Sequence, residues 1–241
     1  MIKTVLFDLD GTMLPMDQDE FVRIYFVELC KRFCPELGLD EKSFIKAMWK
    51  ATGAMIRNDG SEPNVDAFWN TFSKLVGKNV LSKIKDFDNF YENEFIECKA
   101  ATKYNPAVPE TIKVLRNKGY ITVAATNPLF PPVATNRRLN WAGVDKRDFA
   151  FVTTYDNCSF CKPNPLYFRE ICEKLKLEPE ECMMVGNDVD EDMLSASSLG
   201  MDTFLVTDCL LNRSESDSSV FKQGSFKDFL NYSRMMPDVK R

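Results

Sequence analysis

The sequence predicts an α/β protein in which a parallel β-sheet carries helices on both faces and a block of helices is inserted near its start. Three observations lead to this prediction. The chain opens with an apolar run from Ile2 to Phe7, as a buried strand would. Residues 17–101 show only helical periodicity. From residue 104 onward, short apolar runs alternate with helical patterns, which is typical of strand–helix–strand units.

The composition is typical of a globular protein and excludes several classes of partner. The 241 residues are 44% hydrophobic and 28% charged, enough for one large core or two unequal ones. The formal net charge of -5 argues against a nucleic acid or an anionic membrane as partner. No apolar run approaches the roughly 18 residues of a membrane span. The chain opens directly on a strand pattern, so we expect a cytoplasmic protein.

Histidine is absent from the sequence, which excludes Ser–His catalysis and imidazole metal sites. Carboxylates remain as ligands, and oxygen ligands favour Mg²⁺ over Zn²⁺. The eight cysteines are expected to be free thiols, because nothing in the sequence indicates secretion. Cys158 and Cys161 form a single CxxC pair, which alone gives only weak support for a redox or zinc site.

Four helices are predicted in the helical block. The first begins near Asp17 and is expected to end before Cys34-Pro35, because proline interrupts a helix. The others are predicted at residues 43–56, 64–76 and 86–99. Their aromatic stripes at helical spacing indicate the core of a small bundle. We therefore expect residues 15–103 to form a helical domain, and residues 1–14 and 104–241 to form the α/β core.

The α/β part contains alternating elements followed by a polar segment. Strands are predicted at residues 120–125, 149–153, 182–185 and 202–206. Helices are predicted at residues 108–118, 132–139 and 164–175, from the acidic loop after residue 186 to Leu199, and at residues 226–230. The Ser- and Asp-rich segment 212–219 is expected to be a surface loop.

Polar side chains follow the ends of the predicted strands. Asp8 and Asp10 come after the first strand, where a period of two places them on one face. Two carboxylates so close repel each other unless a cation or a shared proton compensates them. Thr126 ends the second strand, and Lys162 lies just before a predicted helix. Since ligands bind at the carboxyl ends of parallel strands, these positions form a candidate site.

The stretch Asp8-Leu9-Asp10-Gly11-Thr12 resembles the first motif of the haloacid dehalogenase-like hydrolases, most of which are Mg²⁺-dependent phosphatases. Thr126, Lys162 and the acidic loop 186–192 are similar to the second, third and fourth motifs, in the same order along the chain. Each match alone would also fit an ordinary turn, a surface lysine or a charged helix start. The resemblance implies a Rossmann-like parallel sheet core with an inserted all-helical cap domain.

The resemblance also implies an activity and its catalytic residues. The expected reaction is the Mg²⁺-dependent hydrolysis of a small phosphate monoester, the partner being a small phosphorylated metabolite. Asp8 would be the nucleophile and form an aspartyl-phosphate, and Asp10 would act as acid and then as base. Thr126, Asn127 and Lys162 would bind the phosphate.

The metal site implied by the resemblance contains one departure from the family pattern. Mg²⁺ would be held by Asp8, by the main-chain carbonyl of Asp10 and by Asp188. Asn187 stands where the fourth motif commonly has its first aspartate, and Asp188 follows it. We favour Asp188 as the ligand, with the side-chain oxygen of Asn187 as the alternative. Asp192 would support the metal or Lys162.

Other activities use the same motifs. A sugar phosphomutase would have the same core, and a catalytically silent binding module would fit the Asn187 departure. Dehalogenases lack the second acid, so Asp10 argues against that chemistry. A phosphonate hydrolase would need a cap lysine, for which Lys46 and Lys50 are weak candidates. The sequence does not identify the oligomeric state, nor the cap residues that face the cleft; the candidates are Arg23, Lys46, Trp49, Arg57 and Trp69.

Overall fold

The computed structural model describes residues 1–239 of the chain, and a six-stranded parallel sheet forms its centre. The strands are β1 (Thr4–Phe7), β2 (Ile121–Ala124), β3 (Phe151–Val152), β4 (Cys182–Gly186), β5 (Asp202–Val206) and β6 (Gln223–Gly224). They lie in the order β3-β2-β1-β4-β5-β6, so β1 pairs with β2 on one side and with β4 on the other. All four residues of β1 are buried. This confirms the predicted Rossmann-like α/β fold.

Helices follow β1 and then alternate with the later strands. The α-helices are α1 (Gln18–Leu37), α2 (Glu41–Ile56), α3 (Asn64–Val76), α4 (Ile84–Glu92), α5 (Ala107–Asn117), α6 (Pro132–Trp141), α7 (Leu166–Leu175), α8 (Ser195–Ser197) and α9 (Phe226–Met235). Short 3₁₀ segments occupy Lys78–Lys83 and Glu94–Ala101, and a π-helical turn occupies Val189–Leu194. None of the helices within residues 1–239 is long and apolar enough to cross a membrane.

The prediction that the first helix ends before Cys34-Pro35 was wrong. Helix α1 continues to Leu37 and contains Pro35 in its last turn. At that position the helix loses one backbone hydrogen bond near its end, which is a smaller disturbance than in its interior. The helix ends at Gly38, which adopts a left-handed φ of 64° and donates its N–H to the carbonyl of Cys34.

The predicted helix at residues 86–99 is two elements in the structure. Helix α4 ends at Glu92, and the 3₁₀ segment begins at Glu94 after a break at Asn93. The side chain of Asn93 donates a hydrogen bond to the carbonyl of Asn89 at 2.8 Å, so it competes with the backbone for the helix end. The predicted helix up to Leu199 is likewise a π-helical turn followed by the short helix α8.

The two strands at the edges of the sheet differ most from the prediction. Strand β3 has only two residues of the five predicted, and β6 was not predicted. Two residues are too few to produce a readable alternation of apolar and polar side chains. In contrast, β2, β4 and β5 agree with their predicted positions to within about a residue.

Two segments of the chain, near residues 13–16 and 100–106, connect the helical block to the sheet; they are called the two crossings below. They run side by side: the N–H of Asp17 donates to the carbonyl of Ala101 at 3.0 Å, and the N–H of Lys103 donates to that of Pro15 at 2.8 Å. Aromatic side chains fill the space between the helices of the block. Phe33 and Phe87, for example, stack with their ring centroids 3.8 Å apart. The division into a core of residues 1–14 and 104–241 and a cap of residues 15–103 stays a prediction.

Candidate active site

Three strand ends meet at the carboxyl edge of the sheet. Asp8 follows β1 directly, Thr126 lies two residues after β2, and Asn187 follows β4. Because β1 lies between β2 and β4, the fold brings these segments together. The side chains predicted to form the site line one cavity there: Asp8, Asp10, Thr126, Asn127, Asn187, Asp188 and Asp192. Lys162 is buried and contacts two of them.

Lys162 is held between two carboxylates. Its Nζ lies 2.9 Å from Oδ1 of Asp8 and 2.6 Å from Oδ1 of Asp192, and its side chain is only 1% exposed. Burial alone would lower the pKa of Lys162, but the charges of Asp192 and Asp8 raise it well above its usual value. The lysine is therefore a permanent cation beside Asp8.

The other oxygen of Asp8 lies next to a hydroxyl. Oγ1 of Thr12 is 3.1 Å from Oδ2 of Asp8 and 2.8 Å from Oδ1 of Asn187. The amide nitrogen of Asn187 donates to the carbonyl of Cys209 at 2.7 Å, which leaves its oxygen on the side of Thr12. Gly11 makes this approach possible, because it adopts a φ of 87° and a Cβ there would meet the Asn187 amide at 2.5 Å.

Asp10 pairs with a residue that the sequence analysis did not identify. The guanidinium of Arg138, on α6, contacts Oδ2 of Asp10, and the Arg138 side chain is 1% exposed. Arg138 also packs over the ring of Phe130, with its Cζ 4.3 Å from the centroid. Burial raises the pKa of Asp10, the Arg138 charge opposes that shift, and the Asp8 charge adds to it. Asp10 is therefore poised to carry a proton.

Two of the three aspartates in the acidic loop after β4, Asp188 and Asp192, have different partners. Oδ1 of Asp188 accepts hydrogen bonds from the N–H groups of Asp190 and Glu191, both at 2.9 Å, and so caps the π-helical turn. Its Oδ2 accepts from Arg213 at 2.6 Å. Asp192 instead faces Lys162, and its Oδ2 would lie 2.1 Å from a Cβ at Gly186, so only glycine fits there.

Hydrogen bonds fix the main chain of the segment after β2, while one side-chain oxygen of this segment has no partner. The carbonyl of Thr126 accepts hydrogen bonds from Thr153 Oγ1 at 2.6 Å and from the Tyr167 hydroxyl at 2.9 Å. The amide nitrogen of Asn127 donates to Glu191 at 3.0 Å. Within the described residues, Oδ1 of Asn127 is buried without a hydrogen-bond partner. Such an atom is available to a donor on a ligand.

The oxygen atoms at this edge fit a hard divalent cation. Asp8 Oδ2 and Asn187 Oδ1 converge on Thr12, and Asp10 Oδ1 is buried without a partner among residues 1–239. Hard cations of this kind prefer carboxylate, amide and carbonyl oxygens. The described residues hold no preformed group of three Cys, Asp or Glu side chains for a metal.

The two cysteines of the CxxC pair are buried among other side chains. Cys158 and Cys161 are both buried, and the side-chain amide of Asn64 lies 3.3 Å from Sγ of Cys161. Burial raises the pKa of Cys158 to about 12, so its thiol is protonated at neutral pH. A protonated, buried thiol is a poor nucleophile.

Comparison with known proteins identifies the family. The family model for haloacid dehalogenase-like hydrolases matches residues 2–200, which include every residue of the site except Arg213. The chain belongs to the haloacid dehalogenase-like hydrolases. The family assignment agrees with the four sequence motifs and with the parallel sheet described above.

Two curated relatives cover most of this hydrolase. A glyceraldehyde 3-phosphate phosphatase from Methanothermobacter thermautotrophicus is 26% identical over 210 residues, which is 86% of each chain. A pyrophosphatase PpaX from Bacillus cereus is 26% identical over 218 residues, covering 88% of this chain and 86% of that protein.

Solved structures share the fold across the whole chain. A HAD phosphatase from Thermococcus onnurineus has a TM-score of 0.63 at 23% identity, covering 99% of this hydrolase and all of that chain. A 2-haloacid dehalogenase from Pseudomonas syringae has a TM-score of 0.61 at 17% identity, with 96% and 97% covered. Phosphatases and dehalogenases thus share this fold, so the likeness alone does not select the reaction.

The Asp10–Arg138 pair is expected to be energetically coupled. Asp10→Ala leaves the buried Arg138 charge without its counterion, and Arg138→Met leaves Asp10 beside Asp8 without its cation. Each should lower the free energy of unfolding by about 3 kcal/mol. The double variant should lose about 1–3 kcal/mol less free energy of unfolding than the two single variants added together, because neither charge is then left without its partner. Urea denaturation of the four proteins measures this coupling.

The exposed pair Arg23–Glu20 provides the control, since its side chains are 61% and 42% exposed. Arg23→Met should change the free energy of unfolding far less than Arg138→Met. If the double variant loses as much free energy of unfolding as the two single variants together, the coupling between Asp10 and Arg138 is contradicted.

Proposed function

We propose that this hydrolase is a Mg²⁺-dependent phosphatase that cleaves a small phosphate monoester through an aspartyl-phosphate on Asp8. The observation that carries the proposal is the environment of Asp8: its carboxylate lies between the Lys162 ammonium and the Thr12 hydroxyl and faces a cavity. The neighbouring Asp10, with its raised pKa, supplies the second acid that a phosphatase needs. Two relatives named as phosphatases support the same class of reaction.

In the first step, a carboxylate oxygen of Asp8 attacks the phosphorus and the bond from phosphorus to the ester oxygen breaks. Lys162 and Thr12 fix the orientation of this carboxylate, so it reaches the phosphorus without the entropy cost of positioning a free water molecule. Lys162 also offsets part of the negative charge that gathers on the phosphoryl oxygens.

Asp10 would supply and then recover a proton. In the first step it protonates the departing ester oxygen, which leaves as an alcohol. In the second step it takes a proton from the water whose oxygen attacks the phosphorus, and the bond to Asp8 breaks. The carboxyl must be protonated once and ionised once. Burial keeps its pKa raised, while the Arg138 charge prevents the shift from becoming too large.

Thr126, Asn127 and Lys162 would hold the remaining phosphoryl oxygens. The Thr126 segment is fixed by the two hydrogen bonds to its carbonyl, so its side chain has a defined position at the cavity. The side-chain amide nitrogen of Asn127 donates to Glu191 at 3.0 Å, so this residue would bind the phosphate through its main-chain N–H. Fixed donors lose little entropy when they bind an anion.

Asp8, the main-chain carbonyl of Asp10 and one side chain of the loop after β4 would hold the magnesium ion. When bound, Mg²⁺ neutralises charge between the acidic side chains and the phosphoryl oxygens. The sequence favoured Asp188 as the third ligand. However, Asp188 is engaged with two N–H groups and Arg213, while the Asn187 oxygen has one contact, with the Thr12 hydroxyl, which also lies 3.1 Å from Asp8. These contacts support Asn187 as the ligand, with Asp188 fixing the loop.

Residues 15–103 would act as a cap that opens to admit the substrate and closes to exclude water. The side-by-side crossings at residues 13–16 and 100–106 would be the hinge. Mg²⁺ with beryllium fluoride, a phosphoryl analogue, should slow hydrogen exchange at the Asp17 and Lys103 amides, which join the crossings. Unchanged exchange at both amides would contradict a hinge there.

Asp8→Asn should abolish phosphate release. The amide is a weaker nucleophile, yet it keeps the shape of the side chain and can still contact Lys162 and Thr12. Phosphate release from acetyl phosphate and from a panel of phosphate monoesters, with Mg²⁺ and with EDTA, measures the effect. We expect turnover in the wild type with Mg²⁺ only, and a loss of at least about a thousandfold in the variant, which is about 4 kcal/mol of barrier.

Asp190→Asn is the control for this substitution, because Asp190 lies in the same acidic loop but does not line the cavity. It should release phosphate at a rate close to that of the wild type. Two results would contradict the proposal: turnover retained by Asp8→Asn, or conversion of a sugar phosphate into its isomer without phosphate release.

The two candidate metal ligands can be separated by Mg²⁺ binding in the presence of orthophosphate. Asn187→Leu removes the proposed ligand oxygen and should weaken Mg²⁺ binding by at least about tenfold. Asn187→Asp should tighten it, because a carboxylate binds Mg²⁺ more strongly than an amide. Asp188→Asn retains an oxygen for the helical turn and should change the affinity little. Calorimetry showing the reverse order would identify Asp188 as the ligand.

A further inference from the structure

A large aromatic cavity extends from Asp8 and Asp10 into the helical block. Its volume is about 520 Å³, within the usual range for small-molecule sites of about 300–1,000 Å³. Ten of its 28 lining residues are aromatic, and most of these lie on α1, α2, α3 and α4. The part of a substrate beyond the phosphate must occupy this space, because the same cavity contains the proposed nucleophile.

The cavity has almost no cation to receive a second negative group. Arg213 is the only lysine or arginine among its described lining residues, and it pairs with Asp188 at 2.6 Å. Asp19, at the start of α1, adds a negative charge on the cap side. Arg23, Lys46 and Arg57, which the sequence offered as specificity residues, do not line it. A carboxylate or second phosphate on the substrate would therefore meet acidic and apolar neighbours.

The cap-side wall of the cavity is mainly aromatic, and its polar side chains other than tyrosine and tryptophan are those of Gln18, Asp19 and Thr52. The hydroxyls of Tyr25 and Tyr91 lie 2.6 Å apart and form a hydrogen bond. A sugar would bring several hydroxyls into this wall, and burying a hydroxyl without a partner is costly. Nε1 of Trp69 is also buried without an acceptor among residues 1–239, so it can donate a hydrogen bond to one acceptor atom of the bound group.

We propose that the aromatic cavity binds the leaving group of the substrate, and that this group is an aromatic or similarly apolar alcohol without a second charge. This proposal rests on the proposed function, since it takes the phosphate to lie at Asp8. It distinguishes this chain from its relatives, whose names give small polar or doubly phosphorylated substrates. Flat rings stack well on aromatic walls, and the exclusion of water from them favours binding.

The first experiment compares 2-phenylethyl phosphate with ethyl phosphate, whose alcohols are chemically similar leaving groups. The difference between them therefore reports binding of the ring. With Mg²⁺, we expect kcat/KM to be about 10–100-fold higher for the phenylethyl ester, as burial of one ring implies. Glycerol 3-phosphate and pyrophosphate should be poorer substrates than the phenylethyl ester. Equal values, or a preference for the polar substrates, would overturn the proposal and leave the phosphatase activity established.

A second experiment does not require turnover. Calorimetry measures binding of 3-phenylpropylphosphonate and of propylphosphonate, which cannot be hydrolysed, to the Mg²⁺-loaded protein. Tighter binding of the phenyl compound supports the aromatic cavity even if no ester or acetyl phosphate is cleaved, a result that would reject only the proposed function. Equal affinity of the two phosphonates overturns the cavity proposal whether or not the protein is a phosphatase.

Substitution at the cavity mouth links the preference to the cavity. Trp49 lines it on α2 and is 51% exposed, so Trp49→Ala should fold. In this variant, both the ratio of kcat/KM values between the two esters and the ratio of affinities between the two phosphonates should be smaller than in the wild type. Leu75→Ala, at an equally exposed apolar residue of α3 that does not line the cavity, is the control and should retain the full preference. An unchanged preference in Trp49→Ala together with equal phosphonate affinities would overturn the proposal.

Discussion

The Lys162 ammonium lies out of contact with water between the carboxylates of Asp8 and Asp192, and these three residues come from different parts of the chain. Asp8 ends the central strand, Lys162 precedes α7, and Asp192 lies in the π-helical turn after β4. A buried charge without partners would be strongly unfavourable, so the fold is stable only when both carboxylates lie in contact with the Lys162 ammonium. The ion triad thus joins three segments at the carboxyl edge of the sheet, and it fixes the orientation of Asp8.

The charges around the triad are close to balanced before any ligand binds. Asp8, Asp10, Asp188 and Asp192 pair with Lys162, Arg138 and Arg213, and burial raises the pKa of Asp10, so a small excess of negative charge is present only when Asp10 is ionised. In the proposed mechanism, a divalent cation would reverse that excess and make the edge suitable for a phosphate. The site would then couple metal and anion binding through electrostatics, without a large basic patch on a protein whose net charge is -5.

Much of this arrangement could be predicted from the sequence, because Asp8, Thr126 and the acidic loop follow strands with clear apolar patterns and Lys162 lies just before a predicted helix. Arg138 could not be predicted in the same way. An arginine near the end of a helix usually faces solvent, and only the tertiary fold brings Arg138 on α6 next to Asp10. The role of Asn187 also required the structure, since the contacts of Thr12 and Cys209 decide where its oxygen points. The cavity-facing residues of the cap could not be separated from core residues, because both groups are aromatic and have helical spacing.

The central claim is that phosphoryl transfer passes through Asp8, and trapping the intermediate tests it most directly. Asp10→Asn should slow the second step, because the base that activates the water is lost. The variant is mixed with Mg²⁺ and acetyl phosphate, whose leaving group needs no protonation, and quenched in acid. Reduction with borohydride then converts any acyl phosphate to homoserine. We expect mass spectrometry of the N-terminal peptide to show homoserine at Asp8. Phosphate release by this variant with Asp8 unmodified at every quench time would contradict the account.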